Sequence, residues 1–209
     1  MNPEKNMETS TKERIIEHAA LQFLNNGIKN ITMDELAEQL GMSKRTIYEL
    51  FQNKEELIME SLKYFVQLNN AQQKKIYEAS ENSFVALLSL YKSNKEGFLR
   101  VNHRFIDDLK KYFPKICKLH DDSKVKTNEF LTKIFNDAIE EGFILDTLNP
   151  AILSHLFTEE MSIVFEKSSA SFQFMEVYET LCLTFFRGIA TSKGLEAVKN
   201  YTEENKQGK

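Results

Sequence analysis

A helical hydrophobic period runs almost unbroken from about Ser10 to Ala190, and no alternating apolar–polar stretch of strand character interrupts it. That pattern confines the chain to helix-on-helix packing, because a sheet would need a period of two somewhere. Composition agrees: 7 Gly and 3 Pro in 209 residues give too little turn chemistry for an all-β fold. A content of 42% hydrophobic and 28% charged residues excludes collagen-like and disordered classes. Sixteen Phe and seven Tyr supply core bulk without covalent staples. Cys117 and Cys182 match no zinc spacing and read as two buried thiols in a reducing compartment. No stretch approaches the ~18 apolar residues of a membrane span, and the first thirty residues carry no signal-peptide core. The expectation is a cytoplasmic protein with no membrane contact, no metal and no cofactor.

Local signals divide the N-terminal part. Ser10-Thr11-Lys12-Glu13 spells a capping box, with the residues before it expected loose. Ile15, Ile16, Ala19, Ala20, Phe23 and Leu24 then follow helical spacing up to Gly27, which suits a left-handed cap. A second box, Thr32 to Glu35, opens a short helix with Met33, Leu36, Ala37 and Leu40 on one face. Gly41 ends it, and Ser43 caps another short helix whose inner side is Ile47, Leu50 and Phe51. Asn53 with Glu56 launches a long helix through Leu57, Ile58, Leu62, Phe65 and Val66. Two short amphipathic helices joined by Gly41-Met42-Ser43 have the layout of a helix-turn-helix. The fold class is therefore all-α: an N-terminal three-helix helix-turn-helix unit at residues 1–56 (core 10–56), a helical unit at 57–199, and a loose tail at 200–209.

Beyond residue 80 the periodicity predicts helices over Phe84–Tyr91, Gly97–Leu109, Lys124–Glu141, Pro150–Glu166 and Phe172–Thr191. The last is apolar nearly all round, so one side faces its own unit and the other calls for a second copy of the chain. The expected homodimer interface is Leu153, Leu156, Phe157, Val164, Tyr178, Leu181, Phe185 and Ile189.

A helix-turn-helix lays its second helix in the major groove of double-stranded DNA. With Ile47, Leu50 and Phe51 facing inward, Lys44, Arg45, Tyr48 and Glu49 point out. Lys44 and Arg45 are the natural guanine readers, and Thr46 donates to a phosphate or packs on a thymine methyl. Tyr48 offers a ring to sugar or methyl groups and a hydroxyl to phosphate. Thr32 and Lys54 stand at helix N-termini, where free amides favour phosphate. Glu49 either accepts from a cytosine amino group or repels the backbone. Residues 1–60 hold 7 Lys and Arg against 11 Asp and Glu, a net of −4, with Lys44, Arg45 and Lys54 gathered at the expected groove face.

Taken in order, Gly27, Thr32-Met33-Asp34-Glu35-Leu36-Ala37, Gly41-Met42-Ser43, Thr46-Ile47-Tyr48, Phe51 and Asn53-Lys54-Glu55-Glu56-Leu57 resemble the DNA-binding domain of the TetR/AcrR family of bacterial transcriptional regulators. The resemblance covers about a quarter of the chain. It implies a two-fold homodimer, a helical C-terminal unit for ligand binding and dimerisation, and ligand-controlled release from operator DNA. Phosphate contacts carry over to Thr32, Tyr48 and Lys54, and base readers to Lys44–Glu49. Leu50 departs from the His or Tyr often found at its position and is expected only to pack.

The expected function is that of a ligand-responsive repressor, released from a palindromic operator by a small apolar molecule. The alternative is a protein-interaction module whose degenerate helix-turn-helix no longer binds DNA. Phe65, Tyr91, His103, Phe130 and Ile134 are the candidate ligand-lining residues. His18 reads as a surface or core-edge group, His155 as a satisfied core histidine within an apolar helix, and His120 as part of a polar loop. No Gly-rich phosphate loop, nucleophile elbow or zinc-helix motif is present, and Glu140-Glu141 and Glu159-Glu160 read as solvated surface. The chain is not expected to be an enzyme.

Overall fold

The computed structural model describes the backbone of residues 3–113, 119–167 and 173–207. Ten helices occupy these residues: α1 Pro3–Asn26, α2 Met33–Gln39, α3 Lys44–Leu50, α4 Lys54–Ala79, α5 Ser83–Arg100, α6 His103–Tyr112, α7 Leu119–Glu140, α8 Pro150–Lys167, α9 Phe174–Ile189 and α10 Ser192–Gln207. The one β-type pairing among them is an isolated bridge, Ile144 with Ala190. The all-α expectation holds.

The chain forms two compact units. The first comprises residues 1–72 and 98–121, the second 73–97 and 122–209. The first unit is thus not confined to the N-terminal stretch that the sequence sets apart: α6 returns to it. Its core gathers Ile15, Phe23, Leu36, Ile47, Phe51 and Leu57 with Phe105 of α6, all buried. Each such side chain contributes roughly 1.5–3 kcal/mol, so the short α2 and α3 are held by packing rather than by their own helical preference.

Turns inside this unit follow the local chemistry. Thr32 accepts from Glu35 N at 3.1 Å while Glu35 Oε2 accepts from Thr32 N at 2.7 Å, a complete capping box. Ser43 Oγ caps α3 by accepting from Thr46 N at 3.1 Å. Asn53 Oδ1 accepts from Glu56 N at 2.9 Å, but the Glu56 carboxylate reaches one residue further back, to Gln52 N at 2.8 Å. Gly41 stands at φ 65°, where a side chain would be strained. Gly27 is needed twice over: its φ is 81°, and a Cβ there would lie 3.1 Å from both Arg104 Cβ and Asp108 Oδ2. One expectation fails at the N-terminus. Ser10 does not open a helix, because α1 already runs from Pro3, a residue suited to a first helical turn.

In the second unit, aromatic rings make the core. Tyr91 stacks on Tyr178 with centroids 5.5 Å apart, and Phe84 stacks on Phe143 at 5.7 Å. The Tyr201 ring of α10 meets Tyr91 edge-on at 6.0 Å. The loose tail expected from residue 200 is instead helical to Gln207, with Tyr201 packed inward as the reason. The helices expected over 84–91 and 97–109 are divided elsewhere. α5 continues through the polar run at 92–96 and stops at Arg100, and Asn102 caps α6, accepting from Arg104 N at 3.0 Å.

Candidate nucleic-acid interface

The reading surface is set by burial on α3. Ile47 is fully buried and Leu50 half-buried, while Tyr48 is 51% exposed. Lys44, Arg45 and Glu49 are exposed and Thr46 half-exposed, so the outward set is the one the periodicity predicts. Phe51, just past the helix, closes the inner face and carries the Lys12 ammonium 5.3 Å from its ring centre.

Neither reading cation stands alone. Lys44 Nζ pairs with Asp34 of α2, and this hydrogen bond, together with the charge of Asp34, holds the ammonium above its usual range. Arg45 Nε donates to Glu49 Oε1 at 2.7 Å, one turn along the same helix. The Arg45 side chain is 87% exposed, so this pair is screened and easily exchanged. The contact uses Nε only and leaves the outer fork of the guanidinium available for a bidentate acceptor such as guanine. Glu49 therefore has a role within the free protein that the sequence left open: it orients Arg45.

The two backbone-contact candidates differ. Thr32 is exposed, but its hydroxyl is engaged by Glu35, with Thr32 Oγ1 3.0 Å from Glu35 Oε2. Lys54 is half-buried, donating from Nζ to Ile28 O at 2.5 Å. Burial pushes the Lys54 ammonium below the usual lysine range, with Asp108 and Glu35 pulling the other way. Lys54 thus ties α4 to the loop between α1 and α2. A phosphate would have to compete with that carbonyl.

Sequence reasoning missed the clamp on this loop. Asp108 Oδ2 of α6 accepts from Ile28 N at 2.8 Å and Lys29 N at 2.7 Å. Asn102 N donates to Leu24 O at 2.9 Å, and its side-chain amide donates to Asn25 O at 2.9 Å. No local signal in the sequence marks these long-range partners. Asn102 serves the first unit, and the His103 side chain lies outside the described residues.

The remaining candidates fall in different places. Phe65 is half-buried on the first unit's part of α4. Tyr91 and Ile134 are buried and Phe130 half-buried in the second unit, where Phe130 meets the Tyr77 ring edge-on at 5.8 Å. Of the expected interface residues, Leu153, Tyr178 and Ile189 are buried in their own chain, because the rings and helices around them already cover them. Leu156 is 48% exposed, and Phe157, Leu181 and Phe185 are half-buried. The Val164 side chain and Cys117 lie outside the described residues. Cys182 is buried as expected, and burial pushes its thiol up to about 12. Among the described residues, no cluster of His, Cys, Asp and Glu forms a metal site, and no helix is long and apolar enough to cross a membrane.

Comparison with known proteins agrees with this geometry. Residues 15–60 match the sequence profile of bacterial regulatory proteins of the tetR family. The chain is 24% identical over 179 residues to the HTH-type transcriptional regulator YvaF of Bacillus subtilis, covering 80% of this chain and 90% of that protein. It is 23% identical over 145 residues to the HTH-type transcriptional repressor KstR2 of Mycobacterium tuberculosis, covering 67% and 72%. Among solved structures, a transcriptional regulator from Cytophaga hutchinsonii superposes with a TM-score of 0.67 at 22% identity, over 87% of this chain and all of that one. AibR, solved with isovaleryl coenzyme A and operator DNA, gives 0.55 at 18% identity over 83% and 96%. The helix-turn-helix thus lies inside a segment, residues 15–60, that matches the tetR-family profile, and the chain around it has the fold of such transcriptional regulators.

Proposed function

We propose that this regulator is a homodimeric repressor that leaves a palindromic operator when a small apolar molecule binds. The observation that carries the DNA-binding half is on α3, where buried Ile47 fixes the helix and exposed Lys44, Arg45, Tyr48 and Glu49 offer donors, an acceptor and a ring. Arg45 reads guanine through its outer fork, Lys44 exchanges Asp34 for a base or phosphate, and Tyr48 and Thr46 contact the backbone. Thr32 and Lys54 flank this surface as phosphate contacts.

Repression is supported by the similarity to the repressor KstR2, and ligand sensing by the likeness to AibR, solved with both a coenzyme A thioester and operator DNA. The second unit carries the ligand and the dimer contact. Tyr91, Phe130 and Ile134 are its ligand-lining candidates; Leu156, Phe157, Leu181 and Phe185 are those with surface left for a partner copy. α4 contributes residues to both units, which gives a ligand in the second a covalent lever on the first. For release, the ligand must bind the DNA-free arrangement better than the DNA-bound one.

A duplex enriched from a randomised library by the full chain tests this reading. Footprinting should show two symmetric half-sites about one helical turn or a multiple apart, filled by one dimer. A single unsymmetric footprint, or no enrichment, refutes it.

A further inference from the structure

Among the described residues, three exposed cations of the first unit without a carboxylate partner stand away from the reading helix. Lys44 and Arg45 each face a carboxylate. Lys29, on the loop after α1, and Arg104 and Lys111, on α6, are all exposed, and among the described residues none of them makes an ion pair. They line one cleft with Tyr112, which is 43% exposed. The Lys29 and Lys111 ammoniums lie 5.6 and 5.3 Å from the centre of that single ring. These two cations, Lys111 ahead of Lys29, draw the Tyr112 phenol below its usual range.

This convergence is not explained by the helix alone. A lysine in the last turn of α6 suits the helix dipole and accounts for Lys111. It does not account for Lys29, from a segment some 80 residues away, standing near the same ring as Lys111. Cations gathered along one cleft favour an anion there. The nearest carboxylates do not fill that role. Asp107 and Asp108 both line the cleft, but neither makes an ion pair with these cations among the described residues, and Asp108 Oδ2 accepts from the Ile28 and Lys29 amides instead.

The cleft also adjoins the expected backbone grip. Lys29 is three residues from Thr32, a reach of at most about 11 Å of chain. The carbonyl of its neighbour Ile28 holds Lys54. We propose that Lys29, Arg104 and Lys111, arranged around Tyr112, grip backbone phosphates of the same duplex that α3 reads. The inference rests on the DNA-binding reading and adds to it a contact outside the helix-turn-helix. It also answers the charge of residues 1–60: an acidic helix-turn-helix borrows its phosphate grip from α6.

The test is the salt dependence of binding by the full chain, measured on the enriched duplex and on an unrelated duplex of equal length. In Lys29→Gln/Arg104→Gln/Lys111→Gln the slope of log affinity against log salt should fall by about 2 to 3 per head, at about 0.9 per phosphate released. Affinity should drop at least tenfold on both duplexes, leaving the preference between them intact. The Lys29→Arg/Lys111→Arg variant should keep the wild-type slope. A lower affinity with an unchanged slope would reflect disturbed packing of α6 and overturns the proposal. So does an unchanged DNA slope with lost binding of inorganic pyrophosphate, which would assign the cleft to a free anion. Failure of the wild type to bind either duplex sinks this inference and the function together; normal binding with a variant of wild-type slope sinks this inference only.

Discussion

Replacing Asp108 by alanine removes one side chain from α6 and should be felt at the turn between α1 and α2. Its Oδ2 accepts two amide protons, from Ile28 at 2.8 Å and Lys29 at 2.7 Å. A hydrogen bond to a charged acceptor contributes about 1.5–3 kcal/mol, and less where water can replace it. The Ile28 bond is part-buried and the Lys29 bond exposed, so the first weighs near the lower end of that range and the second a few tenths. Together they come to about 2 kcal/mol of local stability. Amide hydrogen exchange reads this directly. The Ile28 and Lys29 amides should exchange about 30-fold faster in Asp108→Ala, at 1.4 kcal/mol per decade. Asp108→Asn, which keeps a neutral acceptor, should fall between. Amides of α9, in the second unit, should not change. Protection of Ile28 and Lys29 that survives in Asp108→Ala would refute the clamp.

Other outcomes follow from the same geometry. Gly27→Ala combines a φ of 81° with a Cβ 3.1 Å from Arg104 Cβ and Asp108 Oδ2; it should lower the first unit's stability by about 1–2 kcal/mol in denaturant unfolding, and an unchanged midpoint contradicts this. Thr32→Ala dismantles the capping box and should cost about 1 kcal/mol in the same assay, with no loss meaning the box is idle. With Cys117 replaced by Ser, the Cys182 thiol, pushed from 9.0 up to about 12 by burial, should resist a thiol reagent at pH 8 until denaturant is added. Because the folded state keeps this proton after the unfolded chain has lost it, Cys182 makes stability fall as pH rises between those values; a Cys182→Ala variant should fall less steeply. Leu156→Lys, at a 48% exposed position, should leave a folded monomer by sedimentation, whereas an intact dimer places the interface elsewhere.

What the sequence disclosed was local. The caps at Thr32 and Ser43, the positive φ of Gly41 and the inward face through Ile47 are each decided within a few residues, and they fix which side of α3 is exposed. What stayed hidden depends on partners far along the chain. Nothing near Asp108 announces that it will bind amides some 80 positions earlier, and Gly27 looks like an ordinary helix stop until Arg104 is packed against it. The same holds for interface candidates. Tyr178 and Ile189 are apolar on a helix apolar nearly all round, and only packing shows that they face their own core. Polar runs do not end helices here: α5 continues through 92–96, and α10 runs on past residue 200. Tyr201, placed on Tyr91, shows that one aromatic can settle a polar helix.

The most direct measurement is competition binding between the enriched duplex and an unrelated one, made with the full chain and with Arg45→Ala. The account predicts a clear preference in the wild type that shrinks about ten- to hundredfold in Arg45→Ala, while affinity for the unrelated duplex changes little. A preference that survives in Arg45→Ala, and again when Lys44 and Tyr48 are also replaced by alanine, would contradict the claim that the exposed face of α3 reads the DNA.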